Sequence, residues 1–208
     1  MRLFVNKYPH NIIENVGMDA YKQNFGFLTI PNAMSPFYAP LLGVPWAMDN
    51  FAFSNFQPVK FITMLKRYQN IPGCKFAAVP DVWGDAEATM RRWKRWSGCV
   101  RQYGYPLALV AQDGIEKMPI PWDEFDALFI GGTTEWKFSP HVSRLVFEAR
   151  TRGKWTHMGR VNTAKRIRYC QDLGFDSCDG SSYATHLHKV VTHLPYLETR
   201  QMALGLAF

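Results

Sequence analysis

The chain has no apolar stretch near the roughly 20 residues that span a bilayer, no internal repeat, no low-complexity segment and no linker-like run. It also lacks a GxGxxG or GxxxxGKS/T loop, the phosphate-cradling turns that mark many open, doubly wound sheets. Its four cysteines, Cys74, Cys99, Cys170 and Cys178, form no CxxC pair and show no metal-ligand spacing. Reduced, partly buried thiols fit better than disulfides or zinc. Acidic residues are few beside basic ones, 17 against 24, for a formal charge of +7. That balance biases the protein towards a polyanionic partner.

What is present is a globular composition. Of 208 residues, 47% are hydrophobic and 20% charged, enough for one good core and one domain over 1–208. Met1-Arg2-Leu3-Phe4-Val5 reads as a first strand, not a secretion signal, so a cytoplasmic location is expected, without a membrane partner. The aromatic share of 15% fills a core and also suits stacking on bases.

Six short apolar runs each stop at a residue able to meet a nucleobase. Gly43–Met48 ends at Asp49, Phe76–Pro80 at Asp81, and Leu107–Ala111 at Gln112. Ala127–Ile130 ends at Gly131-Gly132, Trp155–Met158 at Gly159-Arg160, and Phe175–Cys178 at Asp179. Most lead into helix-patterned stretches, and strand-then-helix repetition builds a parallel sheet. With seven or eight strands the expected fold is α/β, a compact (β/α)8-like TIM barrel whose strand C-termini carry the site. An open doubly wound sheet is the rival. The N-terminal part is harder to read: Arg2–Asn6 suggests a strand and Phe25–Pro40, rich in Pro, Asn and aromatics, irregular loops.

Helices are expected from Pro58 to about Tyr68, with Ser54 or Asn55 as cap, and from Asp85 to about Tyr103. In the latter, Met90, Trp93, Trp96 and Val100 form an inward stripe, leaving Arg91, Arg92, Lys94 and Arg95 mostly outward. Further helices open at Ser139-Pro140 and at Asn162, which is read as a cap, and a last one covers about 183–194. His186 and His193 share its face, but no third ligand accompanies them and no metal is expected.

Carboxylates gathered at strand ends suit the exchange of a base on a sugar. One attacks or stabilises the sugar C1′ and another manages the proton of the departing or arriving base, as in retaining glycosidases. A third, with a carboxamide and a backbone N–H, can read a purine edge. The Gly131-Gly132 pair permits close backbone approach. Asp176 competes with Asp179 for the attacking role, and strand alternation puts the two on opposite sides.

The ordered set Asp49-Asn50-Phe51-Ala52-Phe53, Val79-Pro80-Asp81, Val110-Ala111-Gln112-Asp113-Gly114, Ile130-Gly131-Gly132, His157-Met158-Gly159 and Gly174-Phe175-Asp176-Ser177-Cys178-Asp179 resembles the tRNA-guanine transglycosylase superfamily. The resemblance runs from about residue 43 to 182. It implies Asp179 as nucleophile, Asp49 as acid/base, and Asp81, Gln112 and the Gly132 N–H as the guanine-binding groups. It also implies a base clamped between Phe53 and Met158, with Gly131 and Gly159 alongside. Arg160, just past a strand end, is a candidate phosphate contact.

Two departures accompany the likeness. The tRNA enzymes carry a Cys/His zinc cluster after the nucleophile, and no cysteine follows Asp179 here. Their Ser-Gly-Gly after the first aspartate is Asn50-Phe51-Ala52. The chain is therefore most similar to the DNA-acting branch, the phage 7-deazaguanine transglycosylases. That implies DNA and a free 7-deazaguanine base such as preQ0 as partners, no cofactor, and a host cytoplasm as location. Exchange on tRNA, a non-catalytic nucleobase- or nucleic-acid-binding barrel, and a nucleoside hydrolase using water are the alternatives. The oligomeric state is left open.

Overall fold

Each apolar run identified above becomes a strand, because a stretch covered on both faces needs no polar alternation. The computed structural model describes residues 1–7, 9–31 and 36–204. In chain order the elements are β1 (Arg2–Val5), α1 (Pro9–Val16), α2 (Met18–Asn24), β2 (Phe25–Thr29), α3 (Tyr38–Leu42) and β3 (Trp46–Met48). Then come α4 (Ala52–Asn55), α5 (Pro58–Tyr68), β4 (Cys74–Ala78), α6 (Ala86–Arg101), β5 (Leu107–Ala111), β6 (Ala127–Ile130) and α7 (Thr134–Lys137). The chain closes with α8 (Pro140–Thr151), β7 (Trp155–Met158), α9 (Ala164–Asp172), β8 (Ser177–Asp179), α10 (Ser181–Thr185) and α11 (Leu187–Leu204).

All eight strands pair in parallel and in order, and β1 pairs with β8 to shut the ring. The fold is a (β/α)8 TIM barrel. Two apolar regions result. The larger lies between strands and helices and holds Leu3, Trp46, Trp93, Val142, Ile167 and Met158. The smaller fills the lumen with Phe4, Leu28, Ala47, Phe76, Val110 and Phe129.

The N-terminal part departs from expectation. Phe25–Thr29 is a fully buried strand, not a loop: Phe27 and Leu28 pack on opposite faces, and Gly26 leaves room for the Phe4 ring and the Pro45 carbonyl. Residues 32–35 of the expected loop lie outside the described residues.

Helix starts follow local chemistry. Asp85 caps α6 through its carboxylate, which accepts from Ala88 N at 2.8 Å. Met90, Trp93 and Val100 are buried and Trp96 half-buried, each large apolar side chain there contributing about 2 kcal/mol. Two caps were misassigned. Gln57 precedes α5, with Ser54 and Asn55 belonging to α4. Thr163, not Asn162, caps α9 by accepting from Arg166 N, while Asn162 Oδ1 accepts from Ser182 N at 3.1 Å. The last expected helix is two, α10 and a longer α11 with Pro195 inside it.

Candidate active site

A cleft at the C-terminal mouth of the barrel is lined by Asp49, Asp81, Gln112, Gly131, Gly132, Gly159, Arg160, Asp179 and Phe53. Its volume is about 460 Å³ counting the open mouth. Residues from the ends of six strands thus share one hollow.

Asp49 follows β3 and starts an Asx turn, its Oδ1 accepting from Phe51 N at 3.0 Å. The next residue repeats the device, Asn50 Oδ1 accepting from Ala52 N at 2.6 Å. Phe51 adopts a left-handed φ of 60° to make this bend. Burial, then the Asp179 and Asp81 carboxylates, push the Asp49 carboxyl up to about 7. A carboxyl tuned there can give and take a proton near neutrality.

Asp81 is bracketed by two carboxamides. Asn50 Nδ2 donates to Oδ1 at 2.9 Å and Gln112 Nε2 to Oδ2 at 2.6 Å. Burial raises its pKa while these donors and Arg92 work against the rise; Arg92 also donates to the Asp81 carbonyl. The Gln112 carbonyl is held by Gly84 N–H at 2.9 Å, so its amide orientation is fixed. Gln112 therefore positions Asp81 first, and only its second N–H is left to meet a ligand.

The glycines make room. A Cβ on Gly131 would come 2.5 Å from Gln112 Nε2. Gly132 has φ of 76°, and a Cβ there would lie 2.5 Å from Asp113 Oδ2 and 2.7 Å from the Trp136 ring. Asp113 in turn accepts from Thr133 N at 2.8 Å, tying the loops after β5 and β6 together.

Asp179 ends β8. Its Oδ1 lies 3.1 Å from His157 Nε2 and accepts from Arg160 N at 3.3 Å; its side chain is only 16% exposed. Asp176 is elsewhere, its Oδ2 accepting from Thr156 N and Oγ1 at 2.7 and 2.9 Å at the start of the strand. Of the two aspartates, Asp179 is the one that lines the cleft.

Met158 does not lie in the cleft. Along β7 alternate side chains face opposite ways, so His157 points into the lumen while Met158 points at α9, buried with its Sδ 3.4 Å from Cys170 Sγ. The expected clamp therefore has no methionine side. Phe53 sits at the rim, 52% exposed, edge-on to Trp83 with centroids 5.6 Å apart. The Arg160 guanidinium stacks on the Phe53 ring at 3.9 Å, and Arg160 holds a left-handed φ of 63°.

Three cleft residues, Asn50, Trp83 and Lys137, and His157 buried beside Asp179, escaped the sequence reading. Asn50 and Trp83 flank the aspartates Asp49 and Asp81, and their closeness in sequence was the available signal. Trp83 Nε1 donates to the Gly132 carbonyl at 3.3 Å. His157 was legible only through strand alternation. Lys137 had no signal: it lies in α7, buried, its Nζ donating to the Gly159 carbonyl at 2.9 Å. Burial and the Arg160 charge lower its pKa to about 8, and Asp179 opposes the drop. Among the described residues no cluster of three or more His, Cys, Asp and Glu could hold a metal, and no helix is long and apolar enough to cross a membrane.

No family model matches the chain, and no curated protein matches it. Solved structures share its architecture. The native KDPGal structure aligns with a TM-score of 0.55 at 13% identity, over 99% of this chain and 95% of that one. The 3-hexulose-6-phosphate synthase of Salmonella typhimurium aligns at 0.52 and 10% identity, covering 97% and 98%. Phosphoribosyl anthranilate isomerase from Thermus thermophilus aligns at 0.53 and 14%, covering 98% and 100%. At such identities the likeness is one of fold.

Proposed function

We propose that this chain is an enzyme, a base-exchange transglycosylase that replaces guanine in DNA with a 7-deazaguanine base of the preQ0 kind. The observation that carries the reading is the convergence of Asp49, Asp81 and Asp179, 130 residues apart at the extremes, on one cleft. The resemblance in sequence suggests the substrate and the division of labour, and the shared cleft and the raised Asp49 carboxyl support it. Asp179 attacks C1′ as guanine leaves, forming a sugar–enzyme ester. Asp49, poised near pH 7, protonates the departing base and later takes the proton of the arriving one. Asp81, held rigid by Asn50 and Gln112, accepts from the ring N–H and exocyclic amine of the base, and Gly132 N–H donates to its carbonyl. A base in duplex DNA first has to leave the stack.

The test is mass spectrometry of nucleosides from DNA incubated with the protein and 7-cyano-7-deazaguanine. Incorporation is expected, and lost in Asp179→Ala. Unmodified DNA under all conditions, with labelled guanine entering tRNA instead, would shift the assignment to the tRNA reaction. Tight binding with no exchange on either nucleic acid would mark a binding barrel.

A second reading rests on Lys137 alone. A buried amine with its pKa drawn down to about 8 suits imine formation with a carbonyl substrate. Borohydride reduction that fixes a carbonyl compound on Lys137 would favour it over base exchange.

A further inference from the structure

His157 takes no part in the chemistry described so far, yet it is wholly buried inside the barrel. Three aromatic rings surround it: Phe129, Phe76 and Phe4, with centroids at 4.6, 5.1 and 5.8 Å. Its polar contacts are Ser177 Oγ, 2.8 Å from Nδ1, and Asp179 Oδ1, 3.1 Å from Nε2. Below it Trp155 Nε1 donates to the same Ser177 Oγ at 2.8 Å. Ser177 and Asp179 are two apart on β8, and Trp155 and His157 two apart on β7, so all four face the lumen.

The direction of this chain is fixed by chemistry. An indole N–H can only donate, so Ser177 Oγ accepts from Trp155, and its own hydrogen, with no other acceptor in reach among the described residues, turns towards His157 Nδ1. Nδ1 then accepts, and the ring proton sits on Nε2, aimed at Asp179 Oδ1. Every polar atom is satisfied with that one proton. A second proton on Nδ1 would leave the Ser177 hydroxyl hydrogen with nowhere to go among aromatic rings, which is costly. The opposite carboxylate oxygen, Oδ2, has no hydrogen-bond partner among the described residues.

We propose that His157 is a positioning residue that selects the attacking oxygen of Asp179, with Trp155 and Ser177 setting its tautomer. The inference rests on the base-exchange reading. Oδ1 is engaged by His157 Nε2–H and Arg160 N–H, leaving Oδ2 to form the bond to C1′ while the C1′–N9 bond breaks and its electron pair leaves with guanine, protonated by Asp49. In the ester, Oδ1 is the carbonyl oxygen and keeps the His157 hydrogen bond. That bond draws electron density from the ester. In the return step N9 of the arriving base attacks C1′, its proton passes to Asp49, and the C1′–Oδ2 pair returns to Asp179. In the return step negative charge develops on the departing carboxylate, and the N–H already held on Oδ1 stabilises it and so speeds release; in the attack step the same bond serves to hold Oδ2 in line with C1′.

The experiment has two arms. In exchange assays on DNA, His157→Leu is expected to lower kcat about a hundredfold, the scale of losing one such donor, with KM for the free base unchanged. His157→Gln, whose amide N–H reaches the same oxygen, is expected to recover most of the loss. Wild-type kcat in His157→Leu, or no recovery in a folded His157→Gln, overturns the proposal. The second arm is 15N NMR of labelled histidine in the wild-type protein and in Ser177→Ala, which needs no substrate. A proton on Nε2 in the wild type, shifting towards Nδ1 in Ser177→Ala, supports the chain of donors; an Nδ1–H ring in the wild type overturns it. A wild-type protein that exchanges no base would sink the parent reading, while the NMR arm still decides the tautomer.

Discussion

Single side chains set the chemistry through where their protons sit. The Asp49 carboxyl is held near 7, whereas an unfolded aspartate titrates near 3.9. Between those values the native state keeps a proton that the unfolded chain has released, so stability falls as pH rises through that window. Asp49→Asn is expected to flatten this slope in urea titrations at pH 5 and pH 8 and to abolish exchange. The rate profile of the parent protein should show a limb near pH 7 that follows the same group. Asp81→Asn makes a different prediction. It removes an acceptor and places a third amide beside Asn50 and Gln112, so base affinity should fall about 10- to 100-fold by calorimetry, the scale of a hydrogen bond to a charged group. Asp49, Asp81, Gln112 and Asp179 were legible because each ends an apolar run. Lys137 was not, because a lysine in a short helix reads as solvated until the fold buries it. Met158 misled because the family register fixes position along the strand, while pleat fixes the face.

At the scale of elements, the loops after β5 and β6 act as one unit. Asp113 accepts from Thr133 N and Thr133 Oγ1 at 2.8 and 2.5 Å, and Gly132 turns between them in a conformation that disfavours other residues. Gly132→Ala meets both strain and collision, so a loss of about 1–3 kcal/mol is expected in denaturant unfolding, with weaker base binding. The helix starts show how far local rules reach. Asp85 was readable as the α6 cap because it directly precedes the amphipathic stripe. Adjacent Asn162 and Thr163 were not separable, since either side chain can cap, and the contact of Asn162 with Ser182 depends on α10, 20 residues on. The strand at Phe25–Thr29 was hidden for a similar reason. It opens a stretch to Pro40 whose Pro, Asn and aromatic content looks like a loop until closure of the ring supplies neighbours on both sides.

For the whole molecule, the lumen below the cleft is built from rings, and His157 rests on them. Phe76→Ala should open a void there and cost about 3–5 kcal/mol, measurable as a lowered Tm; on the proposed base-exchange reading, exchange should also slow in the folded fraction as Asp179 loosens. The excess of basic charge belongs to this scale too. If DNA is the partner, affinity should fall linearly in a log–log plot against salt, and Arg160→Ala should reduce that slope by about 1. Arg160 also joins opposite sides of the barrel mouth, reaching from the end of β7 to the Phe53 ring beyond β3. On the base-exchange reading, a flat base stacking on Phe53 would have to displace the Arg160 guanidinium that covers that ring. Arrival would then be a swap instead of a simple docking, with the displaced charge freed beside the incoming sugar and its phosphates.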